Sequence, residues 1–552
     1  MIFYFAIIGL SVLLMYLTLK NLSVKEQSDK YKLLLFLVII LIISFRIIKY
    51  GSAMGLNVDE AMGGYNSWCL AHYGVDSHLM KLPIYLIAWG SGMNILYPAI
   101  STFLVRLFGL SLLSYRFQMV MLSILSMFTL YNALMNYIKK PKFNLLFVSV
   151  LYLNPWMIMA NRWSLESNLF PIVMIFALSA FLLFLNQHES KKSMFWFAFF
   201  SFLLGLSAYA YSNDWIFLAI FTPVIFTVLF KIRKIDLKKF VIGIGIILVT
   251  VWPLLLFVYV NYFGNHTLHI GVLTIPKLWQ NRSATQMIFG TGQPLISAMF
   301  KNLLDTLNMI ANGDGMIWNS LPIIGLMFPG MFVFSIIGMA YTLRNIKDNI
   351  LNVFVMIWFL CSIPTALFVC PDANHMNVLI LPLFYFEAVA IKKIFKTKFL
   401  KHCGVIIFSL MLMWFTYGYF IQNKQSLSDN LTTVPVQLKP AFKKAYRSNK
   451  DVYFINSQDT GIYAIPRFWN PVSPYKFNDE MKATGEPKSD IVNYVNYYGK
   501  WHFSMNVNSD MTKLTRNTMF IVPSNDSSVN LRNLPNNVKK IGNYDDYTLY
   551  EN

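Results

Sequence analysis

The sequence predicts a polytopic α-helical membrane protein, about 12 transmembrane helices followed by a small extracytoplasmic α/β domain at the C-terminal end. Three observations lead there. Of 552 residues, 56% are hydrophobic and only 13% are charged, about half the charge of an ordinary soluble domain. The apolar residues gather in long unbroken runs. The basic residues gather in alternate connecting loops.

The runs at 33–45, 143–153, 241–260 and 405–415 reach roughly 20 residues with their flanks, enough to cross about 30 Å of hydrocarbon as helix. They are continuous rather than alternating, so helices and not barrel strands satisfy the backbone in lipid. Spans are expected near 1–19, 31–49, 117–138, 143–160, 168–186, 194–211, 215–230, 240–261, 321–343, 350–369, 376–391 and 404–421. Residues 1–19 read as a span and not as a signal peptide, because they lack a basic n-region and a small-residue cleavage site.

Lys and Arg cluster at 20–32, 139–142, 191–192, 231–239, 344–347 and 392–401. If the spans alternate, all of these fall on one side, and the opposite loops at 212–214 and 371–375 are poor in basic residues. That is the positive-inside pattern, and it puts both termini outside. The net charge of +20 therefore reads as helix anchoring, and no nucleic-acid partner is expected. Cys69, Cys361, Cys370 and Cys403 have no metal-ligand spacing and imply no disulfide framework.

Three outward segments are too long to be mere connectors: 50–116, 262–320 and 422–552. The first carries Asp59, Glu60, Arg106 and Arg116. Its semi-apolar stretch at 99–108 looks like a helix lying along the membrane surface. In the third, apolar runs shorten and turn residues rise. Residues 451–456, 518–523 and 547–550 read as strands, and 439–450 as a helix. The expected division is a membrane domain at 1–421, with its two long loops, and an outer domain at 422–552.

Charged groups near a membrane surface are expensive unless they act. Several lie on the outer side. They are Asp59-Glu60 after the second span, Arg162 and Glu166 between the fourth and fifth, and Tyr211 to Asp214 between the sixth and seventh. His266, His269, Lys277 and Arg282 follow in the second long loop, then Asp314, then Asp372, Asn374, His375 and Asn377 before the eleventh span. A carboxylate can deprotonate a hydroxyl nucleophile, and arginines hold phosphate through paired hydrogen bonds. Together they suit displacement at a sugar carbon whose leaving group is a lipid phosphate. Each piece also has a plainer reading. Asp59-Glu60 could be a solvated loop start, Arg162 and Glu166 could pair on one helical turn, and the histidines could be structural.

The order of these elements resembles the GT-C superfamily of polyprenyl-phosphate-sugar-dependent glycosyltransferases. The nearest branch holds the protein O-mannosyltransferases and the lipid A aminoarabinose transferase. The resemblance runs over about residues 40 to 395. It rests on Asp59-Glu60, then Leu96-Tyr97-Pro98 with Arg106 to Gly109 and Tyr115-Arg116. Asn154-Pro155-Trp156 leading to Arg162 and Glu166 follows, then Ser207 to Ser212, Gly313-Asp314-Gly315 with Trp318-Asn319, and Asn374 to Asn377. The resemblance implies that Asp59 is the catalytic carboxylate activating the acceptor and that Glu60 orients it or the sugar. It implies that Arg162 lies near the donor phosphate and that Glu166 fixes that arginine or touches the sugar. Tyr65, Arg282, His375, Asn377 and Tyr211 complete the implied donor phosphate- and sugar-binding set. Two departures stand out: Asn374-His375 where bacterial relatives often read Asn-Arg, and an extra first span.

The expected activity is inverting transfer from an undecaprenyl-phosphate-type donor to a hydroxyl of a cell-envelope glycan, lipid or protein. It would run on the outer face of a bacterial-type cell membrane. No cofactor is expected to be required; Asp59-Glu60 is the pair that would bind a divalent ion, but nothing in the spacing indicates a metal site. The alternative is a transporter or flippase of a lipid-linked glycan, which would place its polar groups at mid-membrane on broken helices. Here the spans are mostly clean at mid-depth.

Overall fold

The computed structural model describes residues 2–25, 27–52, 55–89, 91–187, 190–280, 286–290, 294–316, 319–321, 324–422, 433–456, 460–483, 497–514, 517–524 and 529–552. Every expected span contains helix. Among the described residues, seven helices are long and apolar enough to cross a membrane: Ile2–Ser23, Leu112–Tyr137, Glu166–Leu185, Ser212–Lys231, Leu237–Tyr262, Ile350–Phe368 and Lys398–Ile421. The chain is a multi-pass membrane protein.

Three of the remaining expected spans differ for local reasons: one is interrupted, one is shortened and one carries charge. The segment at 143–160 is two helices, Pro141–Tyr152 and Pro155–Ala160. Asn154 caps the second one, accepting the Met157 N–H at 2.9 Å, and Pro155 at its first position has no N–H to leave unsatisfied. The segment at 321–343 is helical only over Met331–Arg344, after Gly330 at φ +78°. The helix Asp29–Ile47 carries Asp29, Lys30, Lys32 and Arg46.

The chain packs as two compact units. The first comprises 1–50, 116–255 and 283–421, and the second 51–115, 256–282 and 422–552. The first unit is helical. Its helices Ile2–Val24 and Lys398–Tyr417 leave Phe5, Leu13, Val405 and Leu410 about half exposed or more, as surfaces facing hydrocarbon do. Inside it, Met331–Arg344 lies directly against Ile380–Ile394. Gly338 sets that approach: a Cβ there would stand 1.7 Å from the Phe386 carbonyl oxygen.

The second unit contains a six-stranded sheet. The order across it is Lys539–Tyr544, Tyr547–Glu551, Thr518–Pro523, Asp451–Ile455, Trp501–Ser504 and Tyr497–Tyr498. Asp451–Ile455 is parallel to both of its neighbours, and the outer pairs are antiparallel. Three of these strands and the helix Lys439–Arg447 are those expected from the sequence. Ile455, Phe520 and Val522 pack with Val507, Met511 and Val529 as its core. The segment 51–115 adds the helices Val58–Tyr73 and Leu96–Phe108 and a hairpin between them, Tyr85–Ala88 with Ser91–Asn94.

Because Gly338 meets backbone, which cannot rotate away, Gly338→Ala is expected to destabilise the helical unit by about 1–3 kcal/mol. A lowered thermal midpoint of the detergent-solubilised protein would show it.

Candidate active site

The acidic pair opens the helix Val58–Tyr73 in the second unit. Leu56–Asn57 forms a short strand whose partner is Thr433–Val434. Gly55, at φ +79°, makes that pairing fit, since a Cβ would fall 2.5 Å from the Val434 carbonyl oxygen. Asn57 then caps the helix: its side chain accepts the Asp59 N–H at 2.8 Å. The Glu60 carboxylate reaches back to accept the Asn57 N–H at 3.5 Å, completing a capping box. Such a box satisfies helix-end donors that would otherwise be orphaned.

This geometry separates the two acids. Glu60 is fully buried and holds the helix start. Asp59 is half-buried, and its Oδ1 accepts the indole N–H of Trp89 at 2.7 Å. Both negative charges lie in the first turn, where the helix dipole favours them.

One turn further on, Gly63 and Gly64 bring the helix close to its neighbours. A Cβ on Gly64 would lie 2.5 Å from the Phe468 ring, and one on Gly63 would lie 2.3 Å from the Tyr115 hydroxyl. Tyr65 donates its hydroxyl to the Val472 carbonyl at 2.9 Å, and burial raises its phenol far above the ordinary range. Its ring faces Arg467, which is buried among Tyr65, Tyr463 and Phe477 at 4.6, 4.8 and 4.1 Å. Arg467 Nη2 points at the Met62 sulfur. Farther along, Asp76 accepts the N–H groups of His78 and Met80 at 2.8 Å each. Burial raises Asp76 to about 6 and lowers His78 to about 4, with the Arg467 charge adding to the latter. Lys277 donates to the carbonyls of Val260 and Asn261, so it caps a helix end. His269 Nδ1 lies 3.4 Å from the Thr274 hydroxyl.

Arg162, Glu166, Tyr211, Asp314, His375 and Asn377 lie in the first unit. Arg162 is buried, and all three of its guanidinium nitrogens are engaged. Nε donates to the Tyr419 hydroxyl at 3.2 Å, Nη1 to the Phe45 and Arg46 carbonyls, and Nη2 to the Ile48 carbonyl. It thus closes the C-terminal end of the helix Asp29–Ile47. Its charge lies over the Phe420 ring at 4.9 Å. Glu166 is the first residue of the helix Glu166–Leu185. Next to it, Ser167 donates to Asn374 at 3.2 Å and receives the Asn377 side-chain amide on its carbonyl.

His375 stacks on Tyr211, with ring centroids 6.2 Å apart. Its Nδ1 lies 2.7 Å from the Cys370 carbonyl, so that nitrogen carries the proton. Asp314 binds its own loop through Met316, Asn319 and Ser320, together with the Ala373 N–H. Arg282 and Trp318 lie outside the described residues. Among the described residues no group of three or more His, Cys, Asp or Glu is placed to hold a metal ion.

Sequence reasoning missed four residues here. Trp89 lay in the first long loop, and Tyr463 and Arg467 lay in the outer segment 422–552, where no motif singled them out. Arg46 was read as part of a span; it is fully buried, donating to Ser123 at 3.0 Å and to the Tyr152 carbonyl at 3.0 Å. A cation inside an apolar run was the available signal.

No protein-family model matches the sequence, and no curated protein sequence matches it. Solved structures do. ArnT from Cupriavidus metallidurans, crystallised bound to undecaprenyl phosphate, superposes with a TM-score of 0.53 at 12% identity, over 95% of this chain and 98% of its own. The same protein in the apo state gives 0.51 at 12% identity, over 94% and 97%. The archaeal oligosaccharyltransferase AglB from Archaeoglobus fulgidus, in complex with an inhibitory peptide and a dolichol-phosphate, gives 0.47 at 12%, over 81% and 64%. The chain has the fold of ArnT.

Asp76 and His78 oppose one another in pH dependence. The raised Asp76 withdraws stability as pH rises from about 4 to about 6, because the native state then holds a proton that the unfolded chain has lost. The lowered His78 adds stability over the same window, because the unfolded chain binds the proton the native state refuses. The pair should therefore leave a nearly flat thermal midpoint. Asp76→Asn is expected to unmask a midpoint rising from pH 4 to 6, and His78→Gln a falling one, as read by thermal unfolding across that range.

Proposed function

We propose that this protein is a membrane glycosyltransferase that uses a polyprenyl-phosphate-linked sugar. Two supports come from outside the site: the fold is that of ArnT, a transferase crystallised with undecaprenyl phosphate, and the apolar helices suit a lipid donor. The observation that carries the reading is the division of labour between adjacent acids. One carboxylate is built into a helix cap, and the next is half-exposed and held by an indole N–H.

In this reading Asp59 takes the proton of the acceptor hydroxyl as that oxygen bonds to the anomeric carbon. The bond from that carbon to the lipid phosphate oxygen breaks, and its electron pair leaves with the phosphate. Attack opposite the leaving group inverts the anomeric centre. Glu60 acts through the helix start, keeping Asp59 in place. Glu166, Tyr211, His375 and Asn377, all in the first unit, are the groups that the resemblance assigns to the donor. Arg162 stabilises the donor side through its field, since each of its three guanidinium nitrogens already donates within the protein. The acceptor is a hydroxyl of an envelope glycan, lipid or protein. The site faces outward, on the side poor in Lys and Arg, with both termini on that side. No metal is required, because the leaving group is already a stable phosphate.

Asp59→Asn keeps the shape of the side chain and removes the base. Purified protein in nanodiscs, given a mixed lipid-linked-sugar extract, should release free polyprenyl phosphate, measured by mass spectrometry. The variant should lose at least about 100-fold in rate with its thermal midpoint unchanged. Release by Asp59→Asn at the wild-type rate would remove Asp59 from the chemistry. Labelled lipid crossing vesicles, with none released, would make the protein a transporter.

A further inference from the structure

We propose that Trp89 is a positioning residue for Asp59. This inference rests on the reading of Asp59 as the base. Three observations within the second unit carry it.

The first is the hydrogen bond itself. The indole Nε1–H donates to Asp59 Oδ1 at 2.7 Å, a length typical of a donor to an ionised carboxylate. Trp offers one donor on a rigid bicyclic frame and no acceptor. It fixes a carboxylate in one orientation and favours the charged form.

The second is the backbone at Trp89. The hairpin pairs Ala88 with Ser91, so Trp89 begins the turn, and it does so at φ +55°. Tight hairpin turns take such angles with Gly, Asn or Asp. A bulky side chain there is strained, and strain of this kind persists where the surroundings hold it for a purpose. The left-handed turn delivers the indole to the start of the acidic helix.

The third is the backing. Tyr463 meets the Trp89 ring edge-on, with centroids 5.7 Å apart and planes at 72°, the geometry that aromatic quadrupoles favour. Tyr463 in turn stands against buried Arg467, which also faces Tyr65 on the acidic helix. The indole is held from behind by the C-terminal part of the chain. Asp59 is only half-buried, and the indole fixes one of its carboxylate oxygens.

A carboxylate that loses a hydrogen bond to its charged form titrates higher. Trp89→Phe keeps a ring against Tyr463 and removes the N–H. Two measurements apply, both on the full-length protein in nanodiscs. In the first, water-soluble carbodiimide labels protonated carboxyls, and peptide mass spectrometry follows labelling at Asp59 against pH. The midpoint should rise by about one to two pH units in Trp89→Phe, and Trp89→His, which retains an N–H, should restore part of it. In the second, the acidic limb of kcat/KM for polyprenyl phosphate release should move up by the same amount. Its kcat should fall about tenfold, with KM for the lipid donor unchanged. Tyr463→Leu leaves the turn untouched and should shift both readouts in the same direction by less.

An unmoved labelling midpoint in Trp89→Phe and Tyr463→Leu overturns the proposal, even if Asp59→Asn is inactive. A midpoint that moves while the kinetic limb stays fixed keeps the positioning contact and overturns the role of Asp59 as base.

Discussion

The Glu60 carboxylate accepting the N–H of Asn57 is the contact on which the candidate site depends. Two adjacent acids at a helix start are nearly equivalent in sequence. One hydrogen bond makes them different. Glu60 turns inward to complete the cap and is fully buried. Asp59, one residue earlier, projects from the other side of the first turn. The same start is anchored by Asn57 as cap residue, by the strand pair with Thr433–Val434, and by Gly63 and Gly64, which let Tyr115 and Phe468 approach the helix. The position of the proposed base is thus set by neighbours that themselves need not touch a substrate.

The basic residues give a contrasting lesson. Arg162 was a natural choice for binding phosphate, and Lys277 stood among the outward-facing charges. Both instead donate to carbonyls at helix C-termini, at 45–48 and at 260–261. Helix ends in a lipid-facing protein leave carbonyls that water does not reach, and a cation answers both the missing hydrogen bonds and the negative end of the dipole. A charge near the membrane surface therefore has an architectural use as well as a chemical one. Arg46 remains as a deeply buried guanidinium with one nitrogen, Nη1, unpartnered among the described residues.

The membrane part was legible because hydrocarbon thickness fixes the length of an apolar run, and length needs no knowledge of partners. Interruptions such as Asn154-Pro155 were legible only as local chemistry, and they divided one expected span. The buried strands at 451–455, 518–523 and 547–551 showed their apolar pattern. The edge strand Lys539–Tyr544 did not, since edge strands carry lysines that discourage further pairing. The acidic pair could be found in the sequence, but its asymmetry could not, because a capping box is recognised by geometry. The carbonyl partners of Arg162 were not legible for a similar reason. Spacing pointed four residues ahead to Glu166, whereas the carbonyls that engage it lie on another helix, more than a hundred residues back in the chain. Trp89 was invisible, because its importance depends on a turn angle and on Tyr463 far along the chain.

The strand that leads into the acidic helix takes its partner, Thr433–Val434, from beyond the last long apolar helix, and Tyr463 and Arg467 come later still. During synthesis the acidic helix is made first and waits while most of the helices are inserted. Its supports are made only after the last long apolar helix. A chain broken off early would carry the acid without the frame that aims it. The acidic helix then gains its frame only when these later segments arrive.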